Sequence, residues 1–281
     1  MMKKKRAKKS SKKLSVVKKG KNLIKHESFA KRISAAVKAE AERVGGEGGN
    51  RISTRNGELA IGGVKIPYPF QCVVLDFARW KNYFEVDFDP DNPAPAGCFS
   101  VISTNAAAAV KDMIPSPNSP AIQAKTCGEC ERNVFGAGGQ AKECRDSILV
   151  RLIDADDLDN MESAEPLLLS IPPTSMASFN SFHRKCIKVH ETPLYGVVCT
   201  ITKGEHKSGG WTLEFTAEDV ISLDDYEEGN LDLLISLVDD SADTCLEEPD
   251  VSNYDEMIRK QRKPRKRGRK KVSKKKRGGR R

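Results

Sequence analysis

Four residues, Cys127-Gly128-Glu129-Cys130, carry the most specific chemistry in the chain. Two thiolates two residues apart can grip one tetrahedral ion from a single turn, and the intervening glycine permits that turn. Cys144 follows, with thirteen residues between it and Cys130. A structural zinc site needs a fourth ligand, and the candidates are Cys98, Cys72, Cys186 and His183. Cys98 is favoured, because it begins the irregular segment that ends at Cys127. Closing residues 89–126 onto a metal gives so long a loop a reason to exist. Four cysteines leave no open coordination position, so the expected Zn²⁺ is structural (Cys98, Cys127, Cys130, Cys144) and not catalytic. The plain alternative is a set of buried thiols. A redox or iron–sulfur role has nothing else in the chain to support it. Eight cysteines in 281 residues are too sparse for a disulfide-stapled secreted scaffold.

Single-stranded nucleic acid is held by rings that stack on bases and by cations that meet phosphates. Aromatic residues are few but cluster from Tyr68 to Phe88, and Arg79-Trp80-Lys81-Asn82-Tyr83 sets rings between cations near a strand end. Trp80 and Tyr83 are therefore candidate stacking residues, with Arg79, Lys81, Arg132, Lys142 and Arg145 as phosphate contacts. Phe84 and Phe88 alternate with Val86 as a core face should, and Trp211 opens a strand as a core residue would. Catalytic constellations are weaker. No phosphate-binding glycine loop is present. His183 and His190 flank Cys186 on a helical pattern, which suits packing better than nucleophilic catalysis. The acids of Asp154–Asp159 lack the glycine and terminal glutamate of a calcium loop. Asp76/Glu85 and Asp87/Asp89 could hold magnesium in a nuclease, with only their presence to favour it.

Charge is segregated along the chain. Residues 1–45 carry a net +13 and residues 257–281 a net +16, whereas the body between them carries −20, of which −15 lies in 218–256. Two basic arms of this density bind polyanions through counterion release, without regard to sequence. The acidic stretch before the second arm could fold onto it and compete with nucleic acid, or dock a partner protein. No run of 18 or more apolar residues exists, and the lysine-rich start lacks the apolar core of a signal peptide. A soluble, intracellular protein with no membrane partner is expected.

These residues must be positioned by the elements around them. The first 21 residues have too little apolar surface to pack and are expected to be disordered. Helical spacing recurs from Glu27 to Val44, and glycine-rich residues 45–50 read as a linker. Beyond it come short apolar runs punctuated by Asn56-Gly57 and Gly62-Gly63 turns, with strands expected at Gln71–Phe77, Tyr83–Phe88, Ile148–Ile153, Leu167–Ile171, Tyr195–Thr202 and Trp211–Thr216. Thr174–Val189 is a helix with Met176, Phe179, Phe182 and Cys186 on one face and Thr174 or Ser175 as its cap. Leu231–Val238 could form one short helix in an otherwise acidic tail. The expected architecture is mainly β (α+β), a small antiparallel barrel with one internal helix. Its organisation is a partly helical basic arm (1–45), a nucleic-acid-binding domain (46–217) with a cysteine-rich insertion (about 89–147), an acidic segment (218–256) and a basic arm (257–281).

Cys98-Phe99-Ser100, then CGECERNVFGAGGQAKECRDS (127–147), Ile171-Pro172-Pro173-Thr174-Ser175 and VVCTIT (197–202) together resemble a family of phage single-stranded DNA-binding-like proteins. The resemblance runs from about Arg51 to Thr216. It implies an OB-like barrel with a zinc-binding, cysteine-rich insertion. The family's Asn-x-Phe-Gly falls on Asn133, Phe135 and Gly136, and its basic-flanked last cysteine on Cys144 between Lys142 and Arg145. The implied function is non-enzymatic binding of single-stranded DNA in replication or recombination, in the host-cell cytoplasm if the source is viral. The basic arms and the alanine-rich stretch after Cys98 depart from the family. The alternatives are a basic-armed protein that packages duplex nucleic acid, and a metal-dependent nuclease.

Overall fold

The computed structural model describes residues 50–87, 94–104, 106–136, 141–207, 209–221 and 228–262. The amino-terminal arm with its expected helix, the linker up to Gly49, Phe88 and residues 263–281 of the second arm lie outside the described residues. Among the described residues, nine strands form one curled sheet in a mixed α/β fold: β1 (Arg51–Ser53), β2 (Leu59–Ile61), β3 (Val64–Ile66), β4 (Phe70–Tyr83), β5 (Cys98–Ile102), β6 (Cys144–Asp154), β7 (Leu167–Ile171), β8 (Val197–Glu205) and β9 (Trp211–Val220). Their order is β3-β2-β1-β7-β6-β4-β8-β9, with β5 also on β4. All pairs are antiparallel except β1 with β7.

Strand β4 organises the molecule. Residues 72–83 pair with β6, with a register shift between Val74 and Asp76, while the other edge is shared: residues 70–73 take β8 and residues 79–83 take β5. The sequence suggested two strands here, Gln71–Phe77 and Tyr83–Phe88. One continuous strand ends at Tyr83 instead, and residues 84–87 lie beyond it. The expected loop 89–126 likewise contains a strand, β5, and a short helix, α1 (Ala107–Lys111). Phe99 in β5 is fully buried, which anchors that segment in the core.

The sheet buries both faces. On the inner face, Cys72, Val74 and Phe77 meet Ile148, Val150 and Leu152 of β6 and the buried side of α2 (Met176–Lys188). Met176, Phe179, Phe182 and Cys186 are that buried side, as the helical spacing predicts. Phe179 sits edge-on to both Phe77 and Phe215, at 5.5 Å between centroids in each case. Ser175 does not cap this helix with its side chain; its hydroxyl instead accepts the Leu213 N–H at 2.7 Å, tying α2 to β9. The curl is tightened where the β1–β2 turn meets β9. Gly57 has φ +70° there, and a Cβ on it would lie 2.6 Å from Cγ of Trp211. Only glycine satisfies both the left-handed backbone and that approach.

The outer face is covered by α3 (Glu228–Leu246), a helix more than twice as long as the Leu231–Val238 segment suggested. Leu234 packs with Val73, Leu75, Ile153 and Met161, and Cys245 with Ala78, Trp80 and Phe99. The acidic segment is thus no free tail: its apolar stripe completes the body, and Asp232, Asp239, Asp240 and Asp243 face outward. A further helix, α4 (Tyr254–Arg262), follows.

Candidate nucleic-acid interface and cysteine cavity

At the far end of β4 three strands run side by side, and their register sets the site. Tyr83 pairs with Cys98 on β5 and with Cys144 on β6; one step back, Lys81 pairs with Ser100 and Asp146. Residues opposite one another share a face. Cys98, Tyr83 and Cys144 therefore form one row, with Ser100, Lys81 and Asp146 behind it. The Cys127–Cys130 turn sits on this face. Its Cys127 N–H donates to the Met113 carbonyl at 2.8 Å, and Gly128 presses on α1, where a Cβ would lie 2.8 Å from the Lys111 carbonyl oxygen. Asn133 fastens the turn to β6. Its side-chain amide donates to the Cys127 carbonyl at 2.7 Å, and its Oδ1 accepts from Lys142 Nζ at 2.9 Å.

Cys98, Cys127, Cys130 and Cys144 all line one cavity of about 10 Å³, a space on the scale of a single water. Each is buried and none is in a disulfide. Burial raises the Cys127 thiol pKa, against the Ser100 hydroxyl and the Lys81 ammonium, which lower it. Burial pushes Cys144 up to about 12, again against Lys81, and burial with neighbouring Cys130 raises Cys98. The sulfurs converge on the cavity without closing to ligating separation: among the described residues no three His, Cys, Asp or Glu side chains form a metal-ready group. The four thiols are donors of the kind zinc takes, gathered at one cavity. Cys72, Cys186 and His183, the other fourth-ligand candidates, belong elsewhere: both cysteines are in the core on the inner face of the sheet and His183 meets Phe77 edge-on at 5.0 Å.

The predicted nucleic-acid residues divide by strand alternation. Tyr83 lines the cavity and lies at the rim, with the Arg132 guanidinium 5.4 Å from its ring centroid. Arg145 lies 5.8 Å from the Phe84 ring and Lys142 lies 5.6 Å from the Phe135 ring. Arg132 also pairs with Glu143 at 2.6 Å, and Lys142 with Asp146.

Two predicted contacts are corrected, and a third, Arg79, is half-buried. Trp80 points to the opposite face, is 6% exposed, and donates its indole N–H to the Cys245 carbonyl at 3.0 Å, so it has no face for a base. Lys81 is 5% exposed and bound to Asp146 at 2.6 Å, an internal ion pair in place of a phosphate contact. Burial would raise the Asp146 pKa, but Lys142 and Lys81 together hold it below the ordinary range. Arg79 is half-buried on the inner face, its pKa lowered by burial and partly restored by Asp146.

Two rings were undervalued. Phe84, expected in the core, is 37% exposed because the strand ends before it. Phe135 is 69% exposed, beside Val134 at 63%. A phenylalanine in a Gly-rich, charged loop with no apolar periodicity was the available signal. Compared with protein families, with curated proteins and with solved structures, the chain matches none of them.

Proposed function

We propose that this chain is a non-enzymatic, single-stranded-DNA-binding protein of OB-like architecture, serving replication or recombination, with a structural Zn²⁺ on Cys98, Cys127, Cys130 and Cys144. The observation that carries the reading is the aromatic rim at the end of β4: Tyr83 lines the cysteine cavity, whereas Phe84 stands by Arg145, which by register shares the face of Asn82. Three aromatic rings, Tyr83, Phe84 and Phe135, each stand within cation–π distance of a basic side chain. Rings of that kind give bases a stacking surface, and the exposed cations beside them, Arg132 and Arg145, serve the adjoining phosphates. Zinc would draw the four thiols together as thiolates and fix the loop that carries Arg132 and Phe135. The buried Lys81 supplies a counter-charge to that cluster. The resemblance to phage single-stranded DNA-binding-like proteins supports the same reading.

The test is substitution at the rim. Phe84→Ala and Phe135→Ala should each weaken binding to a single-stranded oligonucleotide by about 1–3 kcal/mol while leaving the melting temperature unchanged. Unaltered affinity in the double variant would remove the rim from the function.

A further inference from the structure

A β-bulge in β4 puts a carboxylate under helix α3. Val74 pairs with Leu152 and Asp76 with Arg151, so Leu75 is the extra residue with no partner on β6. Strict alternation would send Asp76 inward with Val74. Instead Val74 and Phe77 both join the inner core, Leu75 packs with Leu234 of α3, and Asp76 follows Leu75 onto that outer face. These two residues border a cavity of about 360 Å³, lined also by Tyr195 and its neighbours in the turn before β8 and by Val238, Asp239 and Ala242 of α3. Its size is that of a small ligand site, and its lining is mostly apolar with two carboxylates.

Asp76 has no cation of its own. Arg151 stands opposite it in register, but that guanidinium donates to the Asp240 carbonyl at 3.2 Å and to the Thr244 hydroxyl, which ties β6 to α3. Among the described residues no ion pair includes Asp76 or Asp239. Burial raises the Asp76 pKa, opposed by a hydrogen bond from the Phe77 N–H. Among the described residues no third acid, histidine or cysteine completes a metal-ready group there, and apolar walls suit a cation carried on an aliphatic stem better than a bare ion.

The surface beside the cavity continues the same chemistry. Asp232, Asp239 and Asp243 recur at helical spacing along one face of α3 and are exposed. Ile235, 45% exposed, lies on that face between the first two. A small amine would meet the cavity alone, whereas a basic peptide meets the cavity and this stripe together.

We infer that the cavity takes a lysine or arginine side chain from a basic segment of a partner protein, with its charge at Asp76 and Asp239, its stem along Leu75, Tyr195 and Val238, and the flanking residues of that segment on the α3 stripe. The site lies across β4 from Tyr83 and the cysteine cavity, and it does not rest on the proposed single-strand binding.

The probe is a fluorescent peptide of about ten residues with a central arginine and a lysine near each end, titrated into the full chain at about physiological salt beside a twin carrying uncharged citrulline at the centre. The arginine peptide should bind about tenfold more tightly than its twin, and Asp76→Asn should weaken the arginine peptide about tenfold while leaving the twin unchanged. Asp76→Asn keeps the shape of the side chain and removes an uncompensated charge, so the melting temperature should not fall. Ala242→Leu fills the cavity from the helix without touching a charge, and should bring the arginine peptide down to the affinity of its twin. Equal binding of the arginine peptide by the unaltered and Asp76→Asn chains would overturn the site. Unchanged affinity in a folded Ala242→Leu chain would do so too, by leaving the surface acids as the whole of the attraction. N-acetylarginine amide binding as tightly as the peptide would give the cavity to a small cation. A full chain that bound the peptide only after removal of residues 1–45 and 263–281 would give it to the chain's own basic segments, and either result overturns the partner.

Discussion

Alternation along β4 decides which side chains a ligand can reach. Lys81 and Tyr83 share the inner face with Cys98 and Cys144, whereas Trp80 between them is turned onto Cys245. Trp80→Ala should therefore cost about 3–5 kcal/mol of stability, and reduce binding only in proportion to unfolding; loss of binding at unchanged melting temperature would contradict this. Cys127→Ser should lower zinc from about one ion per chain and loosen the 98–144 segment, as read by elemental analysis and hydrogen exchange. Protein purified without chelators and free of zinc would contradict the metal. A further residue-scale outcome concerns Asp157, whose pKa is pushed up to about 6 by burial and by Asp154, Asp156 and Glu165. Between about pH 4 and 6 the unfolded chain loses this proton while the folded one keeps it, so stability falls as pH rises through that window. Asp157→Asn should remove the fall and leave the protein about 1 kcal/mol more stable at pH 7, after allowance for solvent screening, with little difference near pH 4. Equal melting-temperature differences at both pH values would count against it.

At the scale of elements, the outer face of the sheet shows where pattern reading stops. The β2–β3 and β8–β9 hairpins follow from Gly62-Gly63 and Gly209-Gly210, and α2 from its 3.6-residue apolar stripe, because each signal is local. The cysteine cavity was legible for the same reason: Cys127 and Cys130 lie on one turn, and Cys98 and Cys144 begin strands. The cover on the other side of β4 was not. Trp80 finds its partner 165 residues away, on a helix whose acids hide a sparse apolar stripe. Without that helix the strand reads as half-exposed and Trp80 as available. Burial of Leu234 makes the point testable, since Leu234→Ala should destabilise the fold by about 2–5 kcal/mol. An unchanged unfolding midpoint would return residues 228–246 to the status of a tail.

For the molecule as a whole, charge is segregated along the chain. Residues 46–217 carry a net −5, a weak attractor for a polyanion, so the proposed single-strand binding would draw its long-range attraction from the arms and its contact specificity from the rim. Removing 263–281 should flatten the dependence of affinity on salt in proportion to the counterions no longer released. Removing 218–256 is no clean test of competition, because it takes the end of β9 together with α3. Clustered charge-reversing substitutions at Asp232, Asp239 and Asp243 probe the acidic face without that damage. The most direct measurement is competition at about physiological salt between a labelled single strand on the full chain and unlabelled single-stranded or duplex DNA of equal length. Stacking at the rim requires unpaired bases, so the single strand should displace the label at a concentration at least about tenfold lower than the duplex, and the Phe84→Ala/Phe135→Ala double variant should lose that preference. Equal displacement by the two, with the double variant behaving as the unaltered chain, would show that the arms alone bind and that the rim does not.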